Sequence, residues 1–223
     1  MATNKPKLFD IKRFPMDMAR LVCAPLPLIF RNKRLTPDGQ PYRQKLRGGA
    51  IIAANHTSFT DPFLVATTFW YRRAFFLMAE VVMKTGLRAA LLRGVGGIKV
   101  DRNKVDIEAI KQSVGVLKDG RVLIIFPQGG IVADDEIDAL KSGAALMALQ
   151  AGVPIVPMHI RPRAHWYSRQ QVVIGETVDP AAICPKKMPS TADIGRITEA
   201  LMAEMNRCAA GTQTVKEKEH EHV

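Results

Sequence analysis

A histidine and an aspartate stand five residues apart in the stretch AANHTSFTDPF, between two apolar segments. A carboxylate bonded to one imidazole nitrogen fixes the tautomer and raises the basicity of the other nitrogen. A spacing of five leaves two helix positions about 140° apart, so His56 and Asp61 meet only if a turn separates them. The intervening Thr-Ser-Phe-Thr permits that turn. The pair is a candidate general base for a hydroxyl; alternatively Asp61, which Pro62 follows, only caps a helix.

The elements around this pair predict an α/β domain. An apolar strand is expected over 50–55 and a helix over 62–71, which places His56 at the carboxyl end of a strand, where open α/β sheets bind ligands. Alternating strands and helices imply a single domain with a mostly parallel central sheet flanked by helices. The other predicted strands cover 74–79, 96–100, 121–126, 153–160 and 171–178, and the other predicted helices cover 84–94, 104–120, 137–152 and 191–210.

Three further blocks accompany Asn55-His56…Asp61 along the chain. They read Gly97-Ile98…Arg102, Phe126-Pro127-Gln128-Gly129 and Val153-Pro154-Ile155-Val156-Pro157. In this order and at these separations, the four blocks resemble the glycerolipid acyltransferase family, whose best-known members are 1-acylglycerol-3-phosphate acyltransferases. The resemblance covers roughly residues 48–180, and the combination is specific although each block alone is not.

The resemblance implies transfer of a fatty acyl group from a thioester, on coenzyme A or acyl carrier protein, to a hydroxyl of a lysophospholipid or glycerol-phosphate acceptor. It implies His56 as the general base, oriented by Asp61, with no covalent acyl-enzyme, no metal and no cofactor beyond the co-substrate. Arg102 would hold the acceptor phosphate with its planar fork. The substrate-binding residues implied are Asn55, Arg102, Gln128, Gly129, Gly130 and Pro157. The two glycines let the backbone approach an anionic group, or they only form a tight turn.

The third block departs from the family pattern. Gln128 replaces the family's glutamate, and Gly130-Ile131 stands where the family usually has Thr-Arg or Ser-Arg, so the family's second phosphate-binding arginine is missing locally. Glutamine keeps hydrogen-bonding capacity and loses the charge. The acidic run 134–136 would repel a phosphate if it faced the site. We expect an acceptor other than a simple glycerol phosphate; the alternative is a catalytically weak, lipid-binding member of the fold at the membrane surface.

The net charge of +11 favours an anionic partner. Residues 1–47 hold eleven Lys or Arg against three Asp, and they include an apolar run over 18–30 that is too short to span a membrane. We therefore expect an amphipathic arm over 1–47 on the anionic, cytoplasmic face of a membrane, an acyltransferase domain over 48–210 and a charged flexible tail over 211–223. Alternatively the arm packs on the domain. No nucleic-acid recognition motif appears, so nucleic acid is not an expected partner.

Other ionisable residues receive structural interpretations. The three cysteines at 23, 184 and 208 show neither zinc spacing nor a disulfide framework, which favours a reducing compartment. His159 lies within a predicted strand and is interpreted as a structural histidine. The basic pairs Arg72-Arg73 and Lys186-Lys187 are expected to be solvated or to lie at a lipid surface.

Overall fold

The computed structural model describes residues 32–56, 58, 60–80, 82–83, 86–101, 106–129, 134–161, 170–185 and 190–220, together with Phe14, Asp17, Met18 and Leu21. Its strands are β1 (Lys33–Leu35), β2 (Ala50–His56), β3 (Ala74–Ala79), β4 (Gly97–Val100), β5 (Val122–Gly129), β6 (Ile155–Ile160) and β7 (Gln171–Ile174). Its helices are α1 (Asp61–Thr68), α2 (Leu87–Gly94), α3 (Ile107–Lys118), α4 (Asp134–Ala151), α5 (Pro180–Ile183) and α6 (Thr191–His220).

The strands form one seven-stranded sheet in the order β1-β7-β6-β2-β5-β3-β4. The five strands from β6 to β4 are mutually parallel, whereas β7 pairs antiparallel with β6 and β1 pairs parallel with β7. Helices connect the parallel strands, as crossover connections between parallel strands require. The predicted α/β fold with a mostly parallel sheet flanked by helices is confirmed.

β2 lies in the middle of the sheet and is buried on both faces. Ile51 and Ala53 belong to a core cluster with side chains of α3, α4 and α6. Ile52 and Ala54 belong to a second cluster, which contains Val65 of α1. Because side chains alternate along a strand, His56 continues the row of Ile52 and Ala54 and emerges on the face that α1 covers.

Most predicted elements are present, and several bounds differ from the prediction. β3 has the predicted bounds, whereas β5 continues through the predicted turn to Gly129 and β7 stops before Gly175. β1 lies inside the predicted arm, so the sheet begins before residue 48. The last helix continues to His220, beyond its predicted end at 210.

The basic pair at 72–73 is bound within the protein, contrary to the prediction. Arg72 donates to the backbone carbonyls of Leu46, Gly48 and Gly120, and burial lowers the pKa of its guanidinium. Arg73 is 8% exposed and forms a two-point ion pair with Asp17, with N–O distances of 2.9 and 2.7 Å. The second pair, at 186–187, lies outside the described residues.

No helix among the described residues has the length and hydropathy needed to cross a bilayer.

Candidate active site

The structure brings His56 and Asp61 together at the carboxyl end of β2. His56 is the last residue of β2, Asp61 is the first residue of α1, and the turn between them places Nδ1 of the imidazole 3.0 Å from Oδ2 of the carboxylate. The same oxygen accepts the backbone N–H of Ser58 at 2.7 Å. Since a carboxylate only accepts hydrogen bonds, Nδ1 carries the proton and Nε2 is left with its lone pair.

The two side chains differ in their access to solvent. The Asp61 side chain is 4% exposed, and the His56 side chain is 36% exposed. A buried carboxylate that accepts two hydrogen bonds is fixed in orientation, and it in turn fixes the imidazole plane. No residue that the structure describes bonds to Nε2. The arrangement therefore presents one basic nitrogen to a molecule that arrives from outside.

The ring of Phe126 covers one side of the imidazole. The two ring centroids lie 4.6 Å apart at an interplanar angle of 28°. The contact coincides with an irregularity in the sheet, because Ala53 pairs with Ile125 while Asn55 pairs with Gln128, which leaves one extra residue on β5. Bulges of this kind redirect side chains near sites. Sequence reasoning missed the role of Phe126; its place in the third block was the available signal.

Asn55 ties β2 to β6 directly beside His56. Its Oδ1 accepts the backbone N–H of Ile160 at 2.6 Å, and its Nδ2 donates to the carbonyl of Ile160 at 3.1 Å. The side chain thus takes the place of a ladder partner at the end of β6, and it is buried. The structure gives Asn55 this positional contact; the predicted contact with substrate remains a prediction.

Only some of the residues predicted to bind the acceptor phosphate lie among the described residues. Gln128 and Gly129 form the end of β5, where they pair with Asn55 and His56 of β2, so their backbone lies beside the histidine. The predicted phosphate ligand Arg102 and the second glycine of the turn, Gly130, lie outside the described residues.

Pro157 lies in the core, on the sheet face opposite His56. It pairs with Ala53, whose side chain faces the α3, α4 and α6 layer. A Cβ atom added to Gly175 would lie 3.1 Å from Cγ of Pro157 and 2.7 Å from Sγ of Cys208 on α6. The predicted contact of Pro157 with substrate does not follow from this position.

His159 lies on the sheet face opposite His56, because it alternates along β6 with Met158 and Ile160 of the cluster on the α1 side. It is partly buried in β6 between Met158 and Ile160, and burial lowers the pKa of its imidazole. It therefore favours the neutral form in the folded protein, which agrees with its interpretation as a structural histidine.

Comparisons with known proteins identify the family. A sequence model of the family described as Acyltransferase matches residues 30–161. A 1-acyl-sn-glycerol-3-phosphate acyltransferase of Bacillus subtilis is 23% identical over 158 residues, which cover 69% of this chain and 77% of the relative. A relative from Mycoplasma pneumoniae, named a probable 1-acyl-sn-glycerol-3-phosphate acyltransferase, is 27% identical over 115 residues. That match covers 49% of this chain and 43% of the relative, so the chain spans less than half of that protein.

The fold also matches a solved structure. The crystal structure of a 1-acyl-sn-glycerophosphate acyltransferase from Thermotoga maritima aligns with a TM-score of 0.53 and 20% sequence identity. The alignment covers 92% of this chain and 86% of that chain. At this identity the likeness establishes a shared fold.

Proposed function

The chain belongs to the acyltransferase family, and on that premise we propose that it transfers a fatty acyl group from an acyl thioester to a hydroxyl of a lysophospholipid or glycerol-phosphate-type acceptor. The observation that carries the proposal is the His56–Asp61 pair at the carboxyl end of β2, with Nδ1 held by the carboxylate and Nε2 available. The donor carries the acyl group as a thioester on coenzyme A or acyl carrier protein.

The reaction begins when the acceptor hydroxyl donates its proton to Nε2 of His56. The hydroxyl oxygen attacks the thioester carbonyl carbon and forms a C–O bond, and a tetrahedral oxyanion results. The imidazolium that forms in the same step is stabilised by the Asp61 carboxylate 3.0 Å from Nδ1. Collapse of the intermediate breaks the C–S bond, the thiolate takes the proton from His56, and the products are an ester and a free thiol.

The face of the imidazole that Phe126 covers is closed to water. The stacked rings, 4.6 Å apart, restrict rotation of His56 and leave the opposite side and Nε2 for the acceptor. Water that reached the thioester would hydrolyse it, so exclusion of water favours transfer to the acceptor over hydrolysis. This arrangement supports transfer chemistry at His56.

The acceptor carries an anionic group in the relatives' named substrate, a 1-acyl-sn-glycerol 3-phosphate. For this chain we propose Arg102 and the backbone of Gly129 and Gly130 as the groups that receive such an anion. Gln128 in place of the family's glutamate supports an acceptor that differs from lysophosphatidate.

The second proposed property is attachment to the cytoplasmic face of an anionic membrane through the basic arm over 1–47, which carries a net charge of +8.

The direct test of the proposal is His56→Ala. General-base catalysis contributes roughly 10²–10⁴-fold to turnover, so the variant should lose at least about 10²-fold in thioester-dependent acyl transfer across a panel of lysolipids. His56 is partly exposed at a strand end, so the thermal unfolding midpoint should stay near that of the parent. Thioester release by the folded variant at the parental rate would rule out His56 as the base.

The acceptor is tested by Gln128→Glu, assayed on lysophosphatidate and on the best acceptor found for the parent. A carboxylate withdrawn from water is costly unless a cation pairs with it. We expect lower turnover on the true acceptor and a small gain on lysophosphatidate. A several-fold gain on lysophosphatidate, in a parent that already prefers this lipid, would contradict the altered acceptor and leave Gln128 as a tolerated substitution.

A further inference from the structure

Strand β5 contains a proline at the point where its pairing with β2 becomes irregular. Phe126 and Pro127 both stand opposite Ala54, so β5 has one residue more than β2 at this level. Proline has no backbone N–H to donate to a ladder, and prolines inside sheets occur at edges and at bulges. Among the described residues, β5 pairs with β3 up to Ile124 and with β2 beyond it. The segment after Ile124 is thus paired on one side, and Pro127 fits the bulge that forms there.

The bulge decides which residue of β5 lies beside the candidate base. If the pairing of Ala53 with Ile125 continued by one residue per step, Gln128 would be the partner of His56. The extra residue shifts the register by one, and Gly129 is the partner of His56 instead. The bulge therefore leaves the position beside His56 on β5 without the Cβ atom that any other residue would place there.

Phe126 reaches His56 from the same face of the sheet. Its ring packs against the core cluster on the α1 side, which also contains Ile124 of β5, and alternation along β2 puts His56 on that face. The two rings are stacked, with centroids 4.6 Å apart and an interplanar angle of 28°. The face of a phenyl ring is the negative part of its quadrupole, and it attracts a cation whose distance from the centroid is within about 6 Å.

This attraction favours one protonation state of the imidazole. In the proposed reaction His56 is neutral before the hydroxyl attacks and cationic while the tetrahedral intermediate exists. The Phe126 ring attracts the imidazolium more strongly than the neutral ring, so the contact strengthens as the transition state forms. An interaction of this kind raises kcat, whereas one that is equal in both states does not. Asp61 acts on the imidazole from Nδ1, and Phe126 acts on it from the ring face.

We propose that Phe126 is a positioning residue for His56, held over the imidazole by the bulge at Pro127, and that its ring stabilises the imidazolium formed during acyl transfer. The proposal rests on the proposed function in one respect, that His56 is the base. Because the ring acts through His56, its loss should lower kcat with little change in KM for the acceptor.

The test compares Phe126→Leu, which removes the ring and keeps most of the apolar volume, with Phe126→Tyr, which keeps the ring. A stacked phenyl ring moves the NMR signals of the imidazole protons upfield, so histidine-labelled full chain reports the contact without any substrate. The His56 signal is identified by its absence in His56→Ala. We expect an upfield signal in the parent and in Phe126→Tyr, and a downfield move in Phe126→Leu together with a kcat lower by about tenfold.

Phe76→Leu is the matched control for the loss of a ring. Phe76 lies on β3 in the same core cluster, two strands from β2, so its removal should leave the His56 signal and kcat at parental values. Pro127→Ala restores the N–H and makes the regular register available, so it should move the His56 signal and lower kcat in the same direction as Phe126→Leu.

Each result decides a separate part of the proposal. An unmoved His56 signal in Phe126→Leu would overturn the ring contact, and a moved signal with parental kcat would overturn the positioning role. Parental signal and kcat in Pro127→Ala would overturn the role of the proline in holding the ring. A parent protein that shows the upfield signal and transfers no acyl group to any lysolipid would instead contradict the proposed function, so the two failures are distinguishable.

Discussion

One carboxylate oxygen of Asp61 accepts two hydrogen bonds. Its Oδ2 accepts from Nδ1 of His56 and from the backbone N–H of Ser58, so the residue both orients the base and closes the turn that brings the base to it. The helix begins at Asp61 itself with Thr60 at the N-cap, and a negative charge in the first turn is favourable there. The carboxylate of Asp61 therefore orients His56 and closes the turn, whereas the N-cap position belongs to Thr60.

Asp61→Asn tests the negative charge of the side chain separately from its hydrogen bonds in the turn. The amide oxygen can still accept from Ser58 and His56, but the imidazolium that forms during the reaction loses its anionic partner. We expect a loss of about 10²–10³-fold in kcat, within the range of general-base contributions, and little change in the unfolding midpoint. Steady-state kinetics and thermal unfolding of the purified variant measure the two effects. An Asn variant that is as active and as stable as the parent would leave turn formation as the better account of Asp61.

The histidine–aspartate contact could be predicted from the sequence, and the stacking of Phe126 could not. The five-residue spacing rules out a contact across a regular helix, and the Thr-Ser-Phe-Thr segment permits the turn that the contact needs. The 4.6 Å ring contact coincides with an extra residue in β5 opposite Ala53–Asn55. A bulge of this kind depends on strand pairing, which a single sequence does not reveal.

At the level of elements, Asn55 shows how one side chain positions a strand end. The carboxyl end of β2 carries the base, and the two bonds from Asn55 to Ile160 fix that end against β6. Backbone groups buried without partners are costly, so the bonds stabilise the fold as well as the site.

Asn55→Ala should leave the N–H and C=O of Ile160 without these partners. At about 1–3 kcal/mol for each buried unsatisfied group, the free energy of unfolding should fall by about 2–4 kcal/mol. Denaturant unfolding measures this change. The kcat should fall more than KM rises, because the end of β2 moves and the acceptor site as a whole does not. The exposed Gln112→Ala on α3 serves as a control and should unfold like the parent. If Asn55→Ala keeps parental stability and raises only KM, its contact is with substrate.

A strand with a continuous run of apolar residues could be predicted from the sequence, whereas a strand defined only by a distant pairing partner could not. β3 reads as six apolar or small residues and was predicted with its observed bounds. β1 is three residues long, reads Lys-Arg-Leu, and is a strand because it pairs with β7, so no local pattern marks it. The short helix α5 was missed although Asp179-Pro180 is an N-cap signal, and Asp179 does accept from Ala181. The antiparallel direction of β7 follows from tertiary contacts alone.

On the scale of the whole molecule, the exposed large apolar side chains that the structure describes lie in the first half of the chain. Among the residues whose side-chain exposure the structure describes, every large hydrophobic side chain that is clearly exposed lies between residues 14 and 107. These side chains are Phe14, Met18, Leu21, Phe63, Trp70, Leu87, Leu91 and Ile107. The described part of the arm is joined to this half of the chain, because Asp17 pairs with Arg73 just before β3. The arm is thus connected to the domain as well as being a candidate for membrane contact, which combines the two interpretations that its sequence allowed.

Deleting residues 1–30 should weaken binding to anionic vesicles more than it destabilises the domain. The deletion removes five of the arm's eleven Lys or Arg, the apolar run over 18–30 and Asp17, and water can then hydrate Arg73. Asp17→Ala in the full chain is the matched comparison: it removes the carboxylate that pairs with the buried guanidinium, which costs about 3–5 kcal/mol for a buried pair, while the apolar arm remains. We expect the deletion variant to show reduced co-sedimentation with a modest fall in the unfolding midpoint, and Asp17→Ala to show the larger fall in midpoint with binding less affected. A deletion variant that co-sediments like the parent would place the membrane contact on the domain alone.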